Sequence, residues 1–484
     1  MKITIVGTGY VGLITAVCFS EIGHDVMGID IDEKKIKKLQ KGIAPIYELG
    51  LDELLSRNLK EGRLKFDTDI KKGIEFGEVV FSAVGTPPDM NHWADLQYVE
   101  AVAKNFGKYA NDYKLFVNKS TVPVGTGDWC YQIIKEALQQ RGVDFGFDVV
   151  GNPEFLREGA AVKDTMDPDR IIIGTHSKKA REIMQKIYSP IAKSTVPVLY
   201  TTLENAELIK YAANSFLATK ISFINQMANF CERVGGDITV VAKGIGMDKR
   251  IGGRFLHAGI GYGGSCFPKD IKTLIQHGKA FGYDFSILEA VEQVNSGQKE
   301  VAFEKLMHLC PDLSDKTIAV WGLSFKPKTD DMREAPSVKL IKKLIGEGAK
   351  VNCYDPVAME NAKALLKSGS INFAKDAYEA LKNADALLIL TEWDTFRAAD
   401  PTRIKELMKG DIMIDGRNIF EAEEIEKSGL KYFSVGRPDN INQKRKLNIQ
   451  WLKNRGHGGI KDKTSDDAEV RSEILMAEKI SENS

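Results

Sequence analysis

The residue with the clearest chemical potential in this chain is a cysteine set behind glycines. Cys266 closes the run Gly259-Ile260-Gly261-Tyr262-Gly263-Gly264-Ser265-Cys266, and Phe267-Pro268-Lys269-Asp270 follow at once. Glycine loops of this density cost conformational entropy on folding, so they are kept where something must approach the backbone closely. The expectation is that a bound molecule lies against these glycines. Ile271 to Phe281 reads as a helix, with Asp270 as its N-cap and Pro268 just ahead. A thiol near a helix N-terminus and beside a lysine is expected to shift toward thiolate. In isolation, the same residues read more readily as a buried structural cysteine beside an ordinary Asp cap. A thiolate next to a hydride acceptor can oxidise an aldehyde through a thiohemiacetal to a thioester, which water releases as a carboxylate. Simple alcohol dehydrogenation needs no cysteine.

The hydride acceptor is suggested at the N-terminus. Lys2 to Val6 is a β-rich run, followed by Gly7-Thr8-Gly9-Tyr10-Val11-Gly12, an apolar helical segment to Ile22, and a second strand from Asp25 to Ile29 ending at Asp30. In such a fingerprint Gly7 makes the tight turn, Gly9 admits a pyrophosphate near the helix N-terminus, and Gly12 allows close packing of helix on strand. Asp30 would accept bonds from ribose hydroxyls and repel a 2′-phosphate, which favours NAD over NADP. Three later strand-like runs, Glu78 to Val84, Lys114 to Asn118 and Phe147 to Val150, lead into Thr86, into Thr121, and into Glu154 and Glu158. Apolar runs alternating with helical segments predict a parallel doubly wound sheet whose ligands lie beyond the carboxyl ends of its strands. Taken singly, a Thr or Glu after a strand is just as readily a helix cap.

Other elements must bring the cysteine to this sheet. Thr201 to Val234 keeps an apolar helical period without proline or glycine, with Thr201 and Glu204 as a capping box. Such a helix spans about 50 Å, long enough to link two domains. It places Lys210 and Asn214 on one side, and its wide apolar surface predicts a homodimer or higher homo-oligomer. After a break near Gln298 to Leu313 a second α/β series begins, with strand-like runs at Thr317 to Trp321, Lys350 to Tyr354, Ala384 to Leu390, Asp411 to Ile414 and Tyr432 to Val435. It lacks the glycine fingerprint. Lys326 and Arg417, each just past a strand end, would suit a diphosphate. The fold class expected is therefore α/β, with two doubly wound Rossmann-like domains joined by a long central helix.

The chain has 484 residues, too many for one hydrophobic core, and its 67 basic groups balance 67 acidic ones. Zero net charge gives no electrostatic case for nucleic acid or an anionic membrane. Six scattered cysteines form no C-x-x-C pair and no metal-ligand spacing, so neither a disulfide framework nor a metal site is expected. The N-terminus is a poor signal peptide and no apolar stretch is long enough to span a membrane, so the protein reads as cytoplasmic. The stretch after about Asn440 reads as a disordered polar tail.

Nine segments in order, GTGYVG, GTPP, STVPVGT, GNPEFLREG, ELIKYAANSFLATKISFIN, RIGGRFL, GIGYGGSCFPKD, SFKPKTDDMREAPS and IDGRNIF, resemble the UDP-glucose/GDP-mannose dehydrogenase family over roughly residues 1 to 440. That resemblance implies an NAD-dependent four-electron oxidation of a nucleotide sugar at its C6 alcohol, with UDP-glucose foremost. GDP-mannose or a UDP-N-acetylhexosamine, or a non-catalytic NAD-binding scaffold, are the alternatives. It implies Cys266 as nucleophile, Lys210 and Asn214 at the C6 oxyanion, Asp270 and Thr121 positioning water or alcohol, and Glu154 as acid/base in thioester hydrolysis. Gly7, Gly9, Tyr10, Val11, Gly12, Asp30, Lys35, Thr86, Thr121, Glu158 and Arg333 match NAD contacts. Phe255, Leu256, Gly263, Phe325, Lys326 and Arg417 match nucleotide-sugar contacts, with Glu154, Lys210 and Asn214 also on the substrate side. Arg250 matches an arginine that reaches a neighbouring subunit's site. The implied domains are an NAD-binding domain at 1–200, a central helical dimerisation region with the cysteine loop at 201–300, a nucleotide-sugar-binding domain at 310–440 and the tail at 441–484.

Overall fold

A computed structural model describes residues 1–143, 145–192 and 195–438. The polar tail expected at 441–484 lies outside the described residues. The first sheet contains β1 (Lys2–Val6), β2 (Asp25–Ile29), β3 (Leu64–Asp67), β4 (Val79–Ser82), β5 (Lys114–Asn118), β6 (Phe147–Gly151), β7 (Ile171–Gly174) and β8 (Val198–Thr201). Its order is β3-β2-β1-β4-β5-β6-β7-β8. The first six strands are parallel; β4 and β5 are buried on both faces, as a sheet covered by helices on each side requires, while the edge strand β3 leaves Lys65 exposed. β6 and β7 meet antiparallel through a single residue pair, Gly151 with Gly174, so the sheet is not wholly parallel as expected. Sequence reading also missed β3, β7 and β8. Leu64–Asp67 and Val198–Thr201 are too short and mixed to carry a period of their own, and pairing with β2 and β7 makes them strands.

The second sheet contains β9 (Thr317–Trp321), β10 (Lys350–Tyr354), β11 (Ile371–Phe373), β12 (Ala386–Ile389), β13 (Ile412–Asp415) and β14 (Lys431–Ser434), in the order β11-β10-β9-β12-β13-β14, all parallel. This is the order of the first six strands over again, and it is the Rossmann arrangement. β11 is three residues long and was not legible in the sequence. The expected break near residues 298–313 contains a helix, Val301–Leu309, whose Ala302 and Leu306 pack in the second sheet's core with Ile318 and Val320.

The long helix runs from Leu203 to Val234 without interruption, 32 residues with no glycine or proline to break it. Thr202, not Thr201, caps it, accepting a hydrogen bond from the Asn205 amide at 3.3 Å; Thr201 is the last residue of β8. The helix joins three cores. Leu203 packs under the first sheet; Tyr211 and Ala218 pack with Ile271, Leu274 and Val291; and Ile224, Ala228 and Cys231 pack into the second domain. One rigid rod therefore fixes both sheets relative to its own middle turns, where Lys210 and Asn214 are buried.

Candidate active site

The first β-turn has the geometry the fingerprint predicts. Gly7 has φ 92° and donates its amide to Ile29 O at 2.7 Å. A Cβ at Gly12 would stand 1.8 Å from Gly7 O, so only glycine lets the helix Tyr10–Glu21, with Val11 in its first turn, pack on the strand end. A Cβ at Gly9 would meet nothing within 4 Å, which leaves this helix N-terminus open to a diphosphate. Asp30 accepts bonds from Thr8 N and Thr8 Oγ1, both at 2.9 Å, and pairs with Lys35 Nζ at 2.8 Å. Burial alone would raise its proton affinity, but Lys35, the Asp32 amide and Thr8 outweigh that and hold the carboxyl below its usual range. The Tyr10 hydroxyl donates to Glu48 and accepts from Gly159 N at 3.1 Å, tying the turn to the loop after β6. These residues fit an NAD molecule: an open helix end for the pyrophosphate and an ionised carboxylate at the end of β2 for the ribose.

The catalytic candidates converge from four elements. Lys210 on the long helix donates to Glu154 Oε1 at 3.0 Å, both side chains almost wholly buried. One turn further on, Asn214 Nδ2 donates to Asp270 Oδ2 at 2.6 Å. Asp270 Oδ1 lies 2.7 Å from Lys269 Nζ but receives no aligned hydrogen bond, so it retains acceptor capacity for a ligand or water. Thr121, beyond β5, accepts through its carbonyl from Thr86 Oγ1 at 2.9 Å, and it lines a narrow cleft with Asn118, Glu207 and Lys210. For Glu154, burial is outweighed by Lys210, the Leu156 amide and Lys119, so the carboxyl stays below its usual range. For Lys210, burial is outweighed by Glu154, Cys266 and Asp270, so the ammonium is held above its usual value.

Two expectations about Cys266 are corrected. The helix begins at Phe267, not Ile271, with Cys266 itself at the N-cap position and Asp270 inside the first turn. The sequence pattern could not show that Pro268, which is compatible with an early helical position, extends the helix backward over it. Nor is the thiol shifted toward thiolate. Burial and the neighbouring Glu154 push it up to about 11, with Asp270 adding to this, while Lys210 and a contact with Ser265 Oγ at 3.7 Å oppose it. Lys269 is engaged with Asp270 instead. Formation of a thiolate here therefore has to be coupled to a partner that accepts the proton or neutralises the charge.

Three glycines of the loop make close contacts within the protein. A Cβ at Gly259 would stand 2.8 Å from Gly416 O, at Gly263 2.3 Å from Glu334 O, and at Gly264 2.8 Å from the Phe325 ring. These neighbours are protein groups of the second domain, so the glycines let the cysteine loop dock closely against that domain. Arg417 fastens the same joint, donating to Leu390 O at 2.9 Å, Gly261 O at 3.0 Å and Phe325 O at 3.4 Å. Three of its N–H groups are thus spent inside the fold. Lys326 Nζ lies 5.3 Å from the Phe325 ring centroid, and burial lowers its pKa against the pull of Glu158. Leu256 is buried, and Phe255 takes a positive φ of 66° beside the Phe267 ring. Glu158 accepts from Thr329 Oγ1 at 3.0 Å and lies 3.7 Å from Arg333, joining the two domains. Arg250 is not brought to this site: its side chain is 89% exposed and paired with Asp248.

Sequence reading missed two buried charges next to the cluster. Glu207, three residues before Lys210 on the helix, accepts from Gly125 N at 2.7 Å and Gly127 N at 2.8 Å, and burial pushes its pKa up to about 7. Lys119 follows the last residue of β5, with its buried Nζ 3.2 Å from Asn152 Oδ1. In the sequence it is a charged residue terminating an apolar run, Leu115 to Val117 and Asn118, which was a usable signal.

Comparison with known proteins agrees with this geometry region by region. Residues 1–192 match the family model for the NAD binding domain of the UDP-glucose/GDP-mannose dehydrogenase family, 204–297 its central domain and 319–422 its UDP binding domain. The chain is 48% identical over 437 residues to the UDP-glucose 6-dehydrogenase TuaD of Bacillus subtilis, covering 90% of this chain and 93% of that protein. It is 47% identical over 443 residues to the UDP-glucose 6-dehydrogenase of Rhizobium meliloti, covering 91% and 100%. A solved UDP-glucose dehydrogenase from Pyrobaculum islandicum superposes with a TM-score of 0.83 at 36% identity, covering 90% of this chain and 98% of that one. With the nucleotide turn, the buried Lys210–Glu154 and Asn214–Asp270 pairs and the cysteine loop all in one such frame, the chain belongs to the UDP-glucose/GDP-mannose dehydrogenase family.

Proposed function

We propose that this chain is an NAD-dependent UDP-glucose 6-dehydrogenase, oxidising the C6 alcohol of UDP-glucose to the carboxylate of UDP-glucuronate. The observation that carries the reading is the convergence of Cys266, Lys210, Glu154, Asn214 and Asp270 at the joint between a dinucleotide turn and a second nucleotide-type sheet. When bound, NAD supplies the hydride acceptor for each of the two oxidations. The residues of the chain do the rest. Lys210, with Asn214, stabilises the alkoxide at C6 as the alcohol proton passes to the water held by Asp270 and the first hydride leaves. Cys266 then adds to the C6 aldehyde: its sulfur forms the C–S bond, the C=O π bond breaks, and the thiol proton passes to the carbonyl oxygen as charge develops there beside Lys210. Loss of the second hydride turns the thiohemiacetal into a thioester. Water, positioned by Asp270 and Thr121, attacks that carbon; Glu154 takes its proton and the C–S bond breaks to release the acid. Because the resting thiol is held up to about 11, proton loss from Cys266 is tied to substrate arrival rather than complete beforehand.

On this reading, Gly7, Gly9, Tyr10, Val11, Gly12, Asp30, Lys35, Thr86, Glu158 and Arg333 line the NAD side. Phe255, Leu256, Gly263, Phe325 and Lys326 line the sugar-nucleotide side, with Arg417 acting chiefly as a fastener. Residues 1–200 bind NAD, 201–300 carry the cysteine and the dimer face, and 310–440 hold the nucleotide sugar. Phe216, Phe223 and Phe230, seven apart and all at least half exposed, form a stripe along the long helix that a second copy would cover. The exposed Arg250 then enters the neighbouring subunit's site. Six free cysteines support a cytoplasmic setting, and among the described residues no helix is long and apolar enough to cross a membrane.

The test is turnover of purified protein offered UDP-glucose, GDP-mannose and a UDP-N-acetylhexosamine with NAD. Two NADH and one UDP-glucuronate per UDP-glucose are expected. Faster turnover of another sugar nucleotide would move the specificity and keep the chemistry; no turnover of any would leave only a nucleotide-binding scaffold.

A further inference from the structure

Behind Glu154 lies a second buried ammonium that the mechanism has not used. Lys119 follows the last residue of β5, and its amide donates to Ser82 O at 2.9 Å, which fixes where the chain leaves the sheet. Its side chain is buried, with Nζ 3.2 Å from Asn152 Oδ1, 3.4 Å from Asn152 O and 3.4 Å from the Tyr188 hydroxyl. These acceptors are rigid: Asn152 Nδ2 donates to Ile172 O at 2.8 Å, and Tyr188 donates to Asn152 Oδ1 at 2.5 Å. All three are neutral. Among the described residues no carboxylate comes within ion-pair distance of Lys119, so its burial is electrostatically costly. Burial pulls its pKa down to about 8, with Glu154 opposing and Lys210 adding to the shift. Its hydrogen bonds to Asn152 and Tyr188 satisfy its donors but supply no negative charge, so they do not by themselves account for an ammonium here.

The charge it faces does account for it. Glu154 is two residues beyond Asn152; Lys210 from the long helix acts most strongly on its carboxylate, then the Leu156 amide, then the charge of Lys119, while Arg170 before β7 and Cys266 from the glycine loop also feel its charge. Lys210 has two duties in the proposed reaction, pairing with Glu154 and stabilising the oxygen at C6. When it serves the oxygen, Glu154 stays buried with one counter-charge fewer, and burial favours its protonation. A protonated Glu154 cannot accept the proton of the water that attacks the thioester. We propose that Lys119 is a positioning residue for Glu154, a second buried cation that keeps this carboxylate ionised while Lys210 is engaged with the oxygen at the reacting carbon. The inference rests on the roles of Glu154 and Lys210 proposed above.

The step it protects balances simply. Water oxygen bonds to the thioester carbon, Glu154 takes one water proton, the C–S bond breaks, and Cys266 leaves as thiolate to be reprotonated as the carboxylic acid ionises.

Full-length Lys119→Met, Lys119→Arg and Glu154→Gln are compared with the parent for the pH dependence of kcat at saturating UDP-glucose and NAD, and for thioester accumulation in single turnovers. The acid limb of the Lys119→Met profile is expected to move up by about one pH unit, with thioester accumulating below neutral pH, while KM values change little. Lys119→Arg, which keeps the charge, should restore the parent profile. An unshifted acid limb in Lys119→Met would overturn the inference and make Lys119 structural. Wild-type turnover by Glu154→Gln would instead remove the assigned role of Glu154, a separate failure. If Lys119→Met loses its cooperative unfolding transition, Lys119→Gln, which retains an amide donor for Asn152, decides the question by the same profile.

Discussion

The two sheets share one strand order and differ in how they treat the same position. In the first, β1 ends in Gly7 at φ 92°, a helix starts at Tyr10, and the acidic residue closing β2 is Asp30, whose outer side meets the half-exposed Lys35. In the second, β9 ends in Gly322, also at φ 92°, but the next helix starts only at Pro336, and the residue closing β10 is Asp355. Asp355 is wholly buried. Its Oδ2 accepts from Leu323 N, Ser324 N, Ser324 Oγ and Trp393 Nε1 at 2.8 to 3.2 Å, and its Oδ1 from Val357 N and Ala358 N at 3.0 and 2.9 Å. The acidic residue proposed to meet a ribose in one sheet has become an internal strut in the other. A Rossmann order thus does not by itself make a dinucleotide site; the site needs a helix end at the turn and spare acceptor capacity on the acidic residue.

The largest expected effect lies between the sheets, at the cysteine both of them position. Cys266→Ser should lower carboxylate formation by at least about 10³-fold, read as loss of the second NADH and of UDP-glucuronate. Two full turnovers per sugar in that variant would end the thioester mechanism. The comparison itself is broken or kept by paired substitutions. Asp355→Ala strands several buried donors and should cost about 3–5 kcal/mol in denaturant unfolding while leaving the NAD affinity of the folded protein unchanged. Asp30→Ala should do the converse, raising KM for NAD about tenfold, or about 1.4 kcal/mol, with a smaller loss of stability. Equal effects of both variants on NAD binding would mean that the second sheet also handles the dinucleotide.

The smallest effect sharpens the joint. Glu158 on the first domain faces Thr329, Asp331, Arg333 and Lys326 of the second, and Tyr10 of its own; burial and Asp331 push its pKa from the ordinary 4.5 up to about 7. The folded protein therefore holds a proton there that the unfolded chain has lost. That contribution to stability is full below about 4.5 and disappears as the pH rises toward 7. Glu158→Gln should flatten this slope by about 1 kcal/mol per pH unit, measured as unfolding free energy against pH. An unchanged slope would mean that Glu158 is already ionised against Arg333.

Much of the frame was legible without coordinates. The glycine turn, Asp30, the long helix and five strands of each sheet follow from local signals, because a turn, a cap or a periodic face is encoded by residues adjacent in the chain. Strands such as β3, β8 and β11 were not legible, since pairing with a neighbour, not their own three or four residues, makes them strands.

The chemistry divided along the same line. The sequence alone determined which residue types were available: a cysteine behind glycines, Lys210 and Asn214 on one helical face, and Asp270 a turn beyond the cysteine. Only the tertiary structure decided how they are coupled. It paired Lys210 with Glu154 from 56 residues away, placed Lys119 behind that pair, turned the loop glycines toward the second domain and raised the Cys266 thiol rather than lowering it. The reason is physical: local conformation depends on neighbours in the chain, whereas proton affinity depends on burial and on charges delivered by distant elements, and no spacing along the sequence records those distances.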